Sequence, residues 1–181
     1  MVTKAYKCLV AMMLSTSGSN NPKGTIKAKN IIGTDYYLGP KYSAFPYSYS
    51  QMVQVSGNNA GIYIGSGNSP ESDSSYALES KISSGFTANT PTVTCDNDAN
   101  DNPVINFDFT ITNTGASDLV IKEIGYAQDL KATTTKGGYV TSQATFLLDR
   151  TVLSNPITIP AGEYAAVRYT LKSIVPASIR P

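Results

Sequence analysis

The side chains that could do chemistry in this sequence lie in four places. These are the glycines of GIYIGSG (61–67), the acids of DNDANDNP (96–103), the strand charges Glu123 and Arg150, and the tyrosine-rich run YYLGPKYSAFPYSYS (36–50). Histidine is absent from all 181 residues. That excludes imidazole acid–base catalysis, Ser-His-Asp and Cys-His nucleophiles and the commonest zinc sites. Gly61, Gly65 and Gly67 do not make the GxGxxG of a dinucleotide site, and no Gly-Lys-Ser/Thr follows for a phosphate loop. They are expected to turn the chain after a strand. Asp96, Asp98, Asn100 and Asp101 look like the start of a calcium loop. An EF-hand, however, requires Gly at its sixth and Glu at its twelfth position, where this chain has Asp101 and Phe107. A looser Ca²⁺ site on these oxygens stays open beside the favoured reading, a solvated acidic hairpin. No two of the thirteen acids are singled out as a glycosidase pair. The expectation is a protein that is not an enzyme and holds no cofactor.

The remaining two places concern packing and recognition. Residues 36–50 hold five of the twelve tyrosines, with Pro40 and Pro46 excluding a helix or a central strand. An ordered loop or edge packed through its rings is expected. The alternative is an interface formed by Tyr36, Tyr37, Tyr42, Phe45, Tyr47 and Tyr49, because tyrosine supplies contact area at low entropic cost. Glu123 interrupts the apolar run of IKEIGY and Arg150 follows FLLD, so each stands where an uncompensated charge is costly. Neighbouring strands would let them pair, or each could meet a partner subunit. Strand alternation also permits both to face solvent.

The elements that must position these groups are strands. Only 15% of residues are charged, against about 25% in ordinary soluble domains. The stretch VINFDFTITNT (104–114) alternates apolar and polar residues, the pattern of a sheet with one dry face. EYAAVRYTLKSIV (163–175) does the same, with Ala165, Val167, Tyr169 and Leu171 on one face. Shorter strands are expected at 26–32, 36–38, 52–55, 61–64, 91–95, 119–126, 144–153 and 157–159. Gly57-Asn58-Asn59 reads as a hairpin turn between two of them, and 114–118 as the turn of a hairpin over 104–126. Many short strands with turn signals between them indicate an all-β fold, an antiparallel β-sandwich of Ig-like or jelly-roll-like kind.

Residues 1–50 read as an N-terminal arm, with a short helix or docking segment at Val2–Leu14, and 51–181 as the sandwich domain. The apolar run Cys8–Leu14 is at the minimum length of a signal-peptide core, and an uncleaved arm is the favoured reading. Residues 1–41 carry six lysines against one acid, and 42–118 one lysine against eight acids. Such asymmetry could draw copies together. Lys23, Lys27 and Lys29 alone make too short a basic strip for nucleic acid, and no run approaches the ~20 apolar residues of a membrane span. Cys8 and Cys95 form no metal-ligand spacing; two reduced thiols are favoured over a single bridge between them.

An ordered series of motifs then carries a resemblance. GIYIGSG (61–67), SSYALESKI (74–82), FDFTITNTG (107–115), DLVIKEIGYA (118–127), FLLDRTVL (146–153) and NPITIPAGEYAAVRYTL (155–171) follow one another. The series resembles small virion proteins of tailed bacteriophages, many from gut bacteria. These commonly show IGSGxxPxxxxDYxLExxI, TNTGxxxIxIKEIGL, LLxRxVL and PVTIxPGExxxVxYTI, and an EIGL-type step also occurs in N-terminal domains of some phage tail-fibre proteins. Tyr126 stands where Leu or Phe is usual, and residues 1–60 lie outside the likeness. The resemblance implies a β-sandwich held in a repeated place on the particle, made in the bacterial host cytoplasm and assembled into the virion. The expected function is an accessory or adaptor component of tail or neck, with a capsid decoration or head-fibre protein as the alternative. The expected partners are other virion proteins and copies of itself. A host-surface (glycan) binding module is the rival of another class, with a host-surface receptor as its partner. No catalytic residue is carried over.

Overall fold

Alternating apolar residues favour extended chain, and in a computed structural model of the protein the regular elements among the described residues are ten strands. The described residues are 26–38, 54–55, 60–99, 102–138 and 142–172, together with Thr3 and Tyr6. The chain is thus all-β, with mainly antiparallel sheets of the kind that build sandwiches. It divides into two compact units, Met1–Ser84 with Val120–Ile157, and Gly85–Leu119 with Thr158–Pro181. This differs from a division at residue 50. The physical reason is that residues 26–38 bury apolar side chains inside the first unit rather than standing apart from it.

In the first unit, β1 (Ile26–Lys29) and β2 (Asp35–Leu38) form an antiparallel ribbon joined by a turn through Gly33, whose φ of 84° suits glycine. Asn30 closes this turn by accepting from the N–H of Thr34 at 2.8 Å. A four-stranded sheet follows in the order β3 (Gln54–Val55), β4 (Gly61–Gly65), β8 (Leu119–Ala132), β9 (Ser142–Ile159). β3 runs parallel to β4, so Gly57-Asn58-Asn59 is not the turn of a hairpin. β9 is one continuous strand, where two had been expected, and Pro156 is tolerated within it because β9 ends its sheet.

Both faces of this sheet are covered. Phe146 and Leu148 of β9 pack with Leu130, Ala132, Ala28 and Leu38, while Leu147 packs with Tyr63, Ala127 and Leu78. That is why β4 is buried at all five positions and β9 is buried continuously from Phe146 to Arg150. Thr3 is fully buried on β9 as well, its N–H donating to the Leu148 carbonyl at 2.9 Å and its hydroxyl to the Leu147 carbonyl. Tyr6 packs on the same cluster as Phe146. The rest of the expected helix over Val2–Leu14 lies outside the described residues.

In the second unit the central strand is β7 (Pro103–Asn113). It is flanked on one side by β10 (Tyr164–Lys172) and on the other by β5 (Phe86–Ala88) and β6 (Thr92–Asn97), all antiparallel. The alternation of β7 is realised: Phe107, Phe109 and Ile111 are buried, as are Val167 and Tyr169 opposite them. The expected 104–126 hairpin does not form. Both edges of β7 are taken by β10, β5 and β6, and β8 pairs in the other sheet, so residues 114–118 connect two sheets. Asn113 builds this connection, its amide donating to the carbonyls of Ser117 and Ile159 at 2.8 Å each.

Candidate functional site

The chemically richest place in the first unit grows from β4 and β8. Their register sets Gly65 opposite Glu123. Beyond β4 the chain loops out and returns, Ser66 N–H donating to the Ser80 carbonyl at 2.8 Å and Ile82 N–H to the Ile64 carbonyl at 2.9 Å. Residues 66–80 are therefore an Ω-loop, a compact excursion whose ends meet. Glu123 is fully buried at its neck. Oε1 accepts from the N–H groups of Gly67 (3.2 Å) and Ser80 (2.8 Å), and Oε2 accepts from Glu79 N–H (3.1 Å) and Arg150 Nε (2.8 Å). All four acceptor directions of the carboxylate are thus used.

Arg150, 3% exposed on its side chain, completes the network. Nη1 donates to the Pro70 carbonyl and Nη2 to Ser69 Oγ, each at 3.3 Å. Glu79 holds the outer part of the loop, Oε2 accepting from the N–H groups of Asn68 and Ser69 at 2.7 Å each. The hydrogen bonds from Ser69 come first among the causes that hold its carboxyl below the usual range. Glu71 ties the loop to β9 by accepting from Val152 N–H at 2.8 Å. The glycines are required by space. A Cβ on Gly65 would lie 2.5 Å from Glu123 Oε1, and one on Gly67 would lie 2.6 Å from the same atom. Gly125 likewise leaves room for Leu147 and Leu78. Every buried side-chain nitrogen and oxygen among the described residues has a hydrogen-bond partner.

The structure thus places Glu123 and Arg150 together, and out of solvent. Tyr36 turns inward, meeting Phe146 edge-on at 6.0 Å between ring centroids, and Tyr37 pairs its backbone with Thr133. The Tyr36 ring thus serves its own unit; Tyr42, Phe45, Tyr47 and Tyr49 lie outside the described residues. In the acidic hairpin, Asp98 accepts from the backbone and side-chain N–H groups of Asn102 at 3.0 Å, and Lys172 approaches it at 3.8 Å. Asp96 accepts from Asn97 N–H. Asn100 and Asp101 lie outside the described residues, among which no group of three or more metal-ligating side chains gathers. Cys95 is an exposed free thiol on β6.

Sequence reasoning misses Gly65, Gly67, Ser69, Glu79 and Ser80 as members of the Glu123 network. The signal was the pair of glycines directly after an apolar strand, read as a turn when their role is to make room for a carboxylate. It also misses a cleft of about 660 Å³ lined by Lys27, Lys29, Asp35, Ser74, Ser75 and Tyr76. There the Lys29 ammonium lies 5.2 Å from the Tyr76 ring centroid. Lys27 and Asp35 pair at 2.7 Å, which raises the lysine pKa and lowers that of the acid. No family model, no curated protein and no solved structure matches the chain.

Proposed function

We propose that this chain is a structural, non-enzymatic protein of a tailed-bacteriophage particle, an accessory or adaptor component of the tail or neck present in multiple copies. One observation carries the reading. Four of the six segments that give the phage resemblance, those with IGSG, LES, KEIG and LDR, supply atoms or space to the buried Glu123–Arg150 network. The shared motifs therefore encode a scaffold. Glu123 has its acceptor directions occupied by four donors of its own chain, the condition of a structural carboxylate and not of a general base. A head-fibre or decoration role uses the same scaffold at another place on the particle.

Cryo-EM of purified particles, with peptide mass spectrometry of their proteins, tests this. Repeated density for the chain at tail or neck is the expected result, and its absence from washed particles overturns the reading. The cleft at Tyr76 favours a second reading, a host-surface glycan module, because Ser74, Ser75 and Lys29 offer donors around Tyr76, a residue 39% exposed. Binding to host-surface polysaccharide that Tyr76→Ala abolishes would support it, and unchanged binding would remove it.

A further inference from the structure

The outer edge of β6 is made to pair with another strand. Its six residues, Thr92–Asn97, are all exposed, and among the described residues its one strand neighbour is β7. The hydrogen bond from Asp98 N–H to the Asn102 carbonyl fixes which groups point at β7. In an antiparallel ladder alternate residues bond inward, so Thr92, Thr94 and Asp96 face β7 while Val93 and Cys95 direct their N–H and C=O outward. Edge strands are usually blunted by lysine, proline or inward charge. β6 has no lysine or proline, and its one charge, Asp96, lies toward its end.

Two of the strand's side chains, Val93 and Cys95, are apolar and share one face. Val93 lies opposite Phe107 and Cys95 opposite Ile105. They extend the dry face of β7 to its exposed end, where Val93 is 44% and Ile105 39% exposed.

We propose that β6 pairs antiparallel with β6 of a second copy of this chain, about a two-fold axis through Thr94. The strand is self-complementary in this register. Val93 of each copy faces Cys95 of the other, so the outward-directed main-chain groups of both residues bond reciprocally and the apolar face continues across the junction. Thr94 faces Thr94, and Thr92 faces Asp96. The two Asp96 carboxylates, the only charges of the strand, stand roughly 14 Å apart at 3.4 Å per residue. That exceeds the screening length of about 8 Å. A register centred on Cys95 would set Val93 against Asn97 and lose the apolar match. A strand pair alone buries less than the ~1,200–2,000 Å² of a stable interface. Association is therefore weak in dilute solution and becomes effective where copies are held close together. This self-pairing goes beyond the virion reading and stands or falls without it.

Sedimentation equilibrium of the full chain up to several hundred micromolar, with a Cys8→Ser, Cys95→Ser, Thr94→Cys variant under mild oxidation, tests it. The expected results are a concentration-dependent dimer and a disulfide-linked dimer of the variant. In this register the two Thr94 Cα atoms come about 4.5 Å apart, within disulfide reach. Val93→Lys should raise the dimer dissociation constant about tenfold or more, with an unchanged circular dichroism spectrum. A chain that stays monomeric overturns the proposal. So does a Thr92→Cys variant in the same background that cross-links as readily as Thr94→Cys, or a dimer indifferent to Val93→Lys.

Discussion

Glu123–Arg150 in the first unit and Asp108–Arg168 in the second are built from the same chemistry, with closest contacts of 2.8 and 2.6 Å. Their surroundings differ completely. The first pair is 0% and 3% exposed on its side chains; the second is 35% and 66% exposed, and bidentate. Geometry therefore does not set the worth of an ion pair; what happens when one partner is removed does. In the first unit the surviving charge is stranded among β4, β8 and the Ω-loop. In the second it simply takes up water. The units also cohere differently. The first unit is threaded by a polar network between two covered faces, while the second relies on the single dry face of β7 and β10.

The largest effect expected from this contrast is at Glu123. Glu123→Ala should destabilise by about 3–5 kcal/mol, the usual cost of breaking a buried pair from one side. The Glu123→Ala, Arg150→Ala double mutant should cost much less than the sum, and urea melts of the three variants measure the coupling. A coupling near zero would erase the distinction between the two pairs. Phe109, 3% exposed in the dry face, comes next. Phe109→Ala should cost a similar ~3–5 kcal/mol by truncating a buried ring. Phe109 and Glu123 belong to different compact units, so the effect of Phe109→Ala should add to that of Glu123→Ala in a combined variant. Arg168→Ala should leave the urea midpoint almost unchanged, because exposed pairs contribute little.

The smallest effect is a pH dependence. Hydrogen bonds from Ser69 lower the Glu79 pKa and the hydrogen bond from Arg168 lowers that of Asp108. A carboxyl whose folded pKa is depressed contributes its stabilisation fully above its unfolded value and loses it as pH falls through the folded one. The melting temperature should thus drop once pH passes below the ordinary Glu and Asp values of 4.5 and 3.8. Glu79→Gln should show a shallower drop than the parent chain in a thermal melt series.

Legibility in the sequence follows the same division. β7 and β10 are readable because one dry face imposes a local alternation, and Phe107, Phe109 and Val167 are buried as that pattern requires. Pairing is not local. A short link such as 114–118 closes a hairpin or passes between sheets, and the choice is made by β5, β6 and β10, which claim both edges of β7. β4 and β9 carry no alternation, since both their faces are covered. Glu123 and Arg150 are conspicuous as charges in apolar runs, which exposes the problem but not its solution. The solution comes from Ser80 N–H and Ser69 Oγ, 43 and 81 residues away in sequence. The tyrosines leave packing and recognition open because ring-rich segments suit partners and cores alike; at Tyr36 the ring packs on Phe146, as the packing reading expects.

The Ω-loop has a consequence for the order of events as the chain leaves the ribosome. Its neck is closed by Glu123, and Arg150 holds Ser69 from 81 residues further along. At synthesis rates of about 5–20 residues per second, the loop waits roughly 4–16 s for that guanidinium to emerge. Until then its N–H donors are served by water and β4 lacks the partners that cover it. Closure of the first unit is therefore a late, non-local step, of the class that makes β proteins slow to fold.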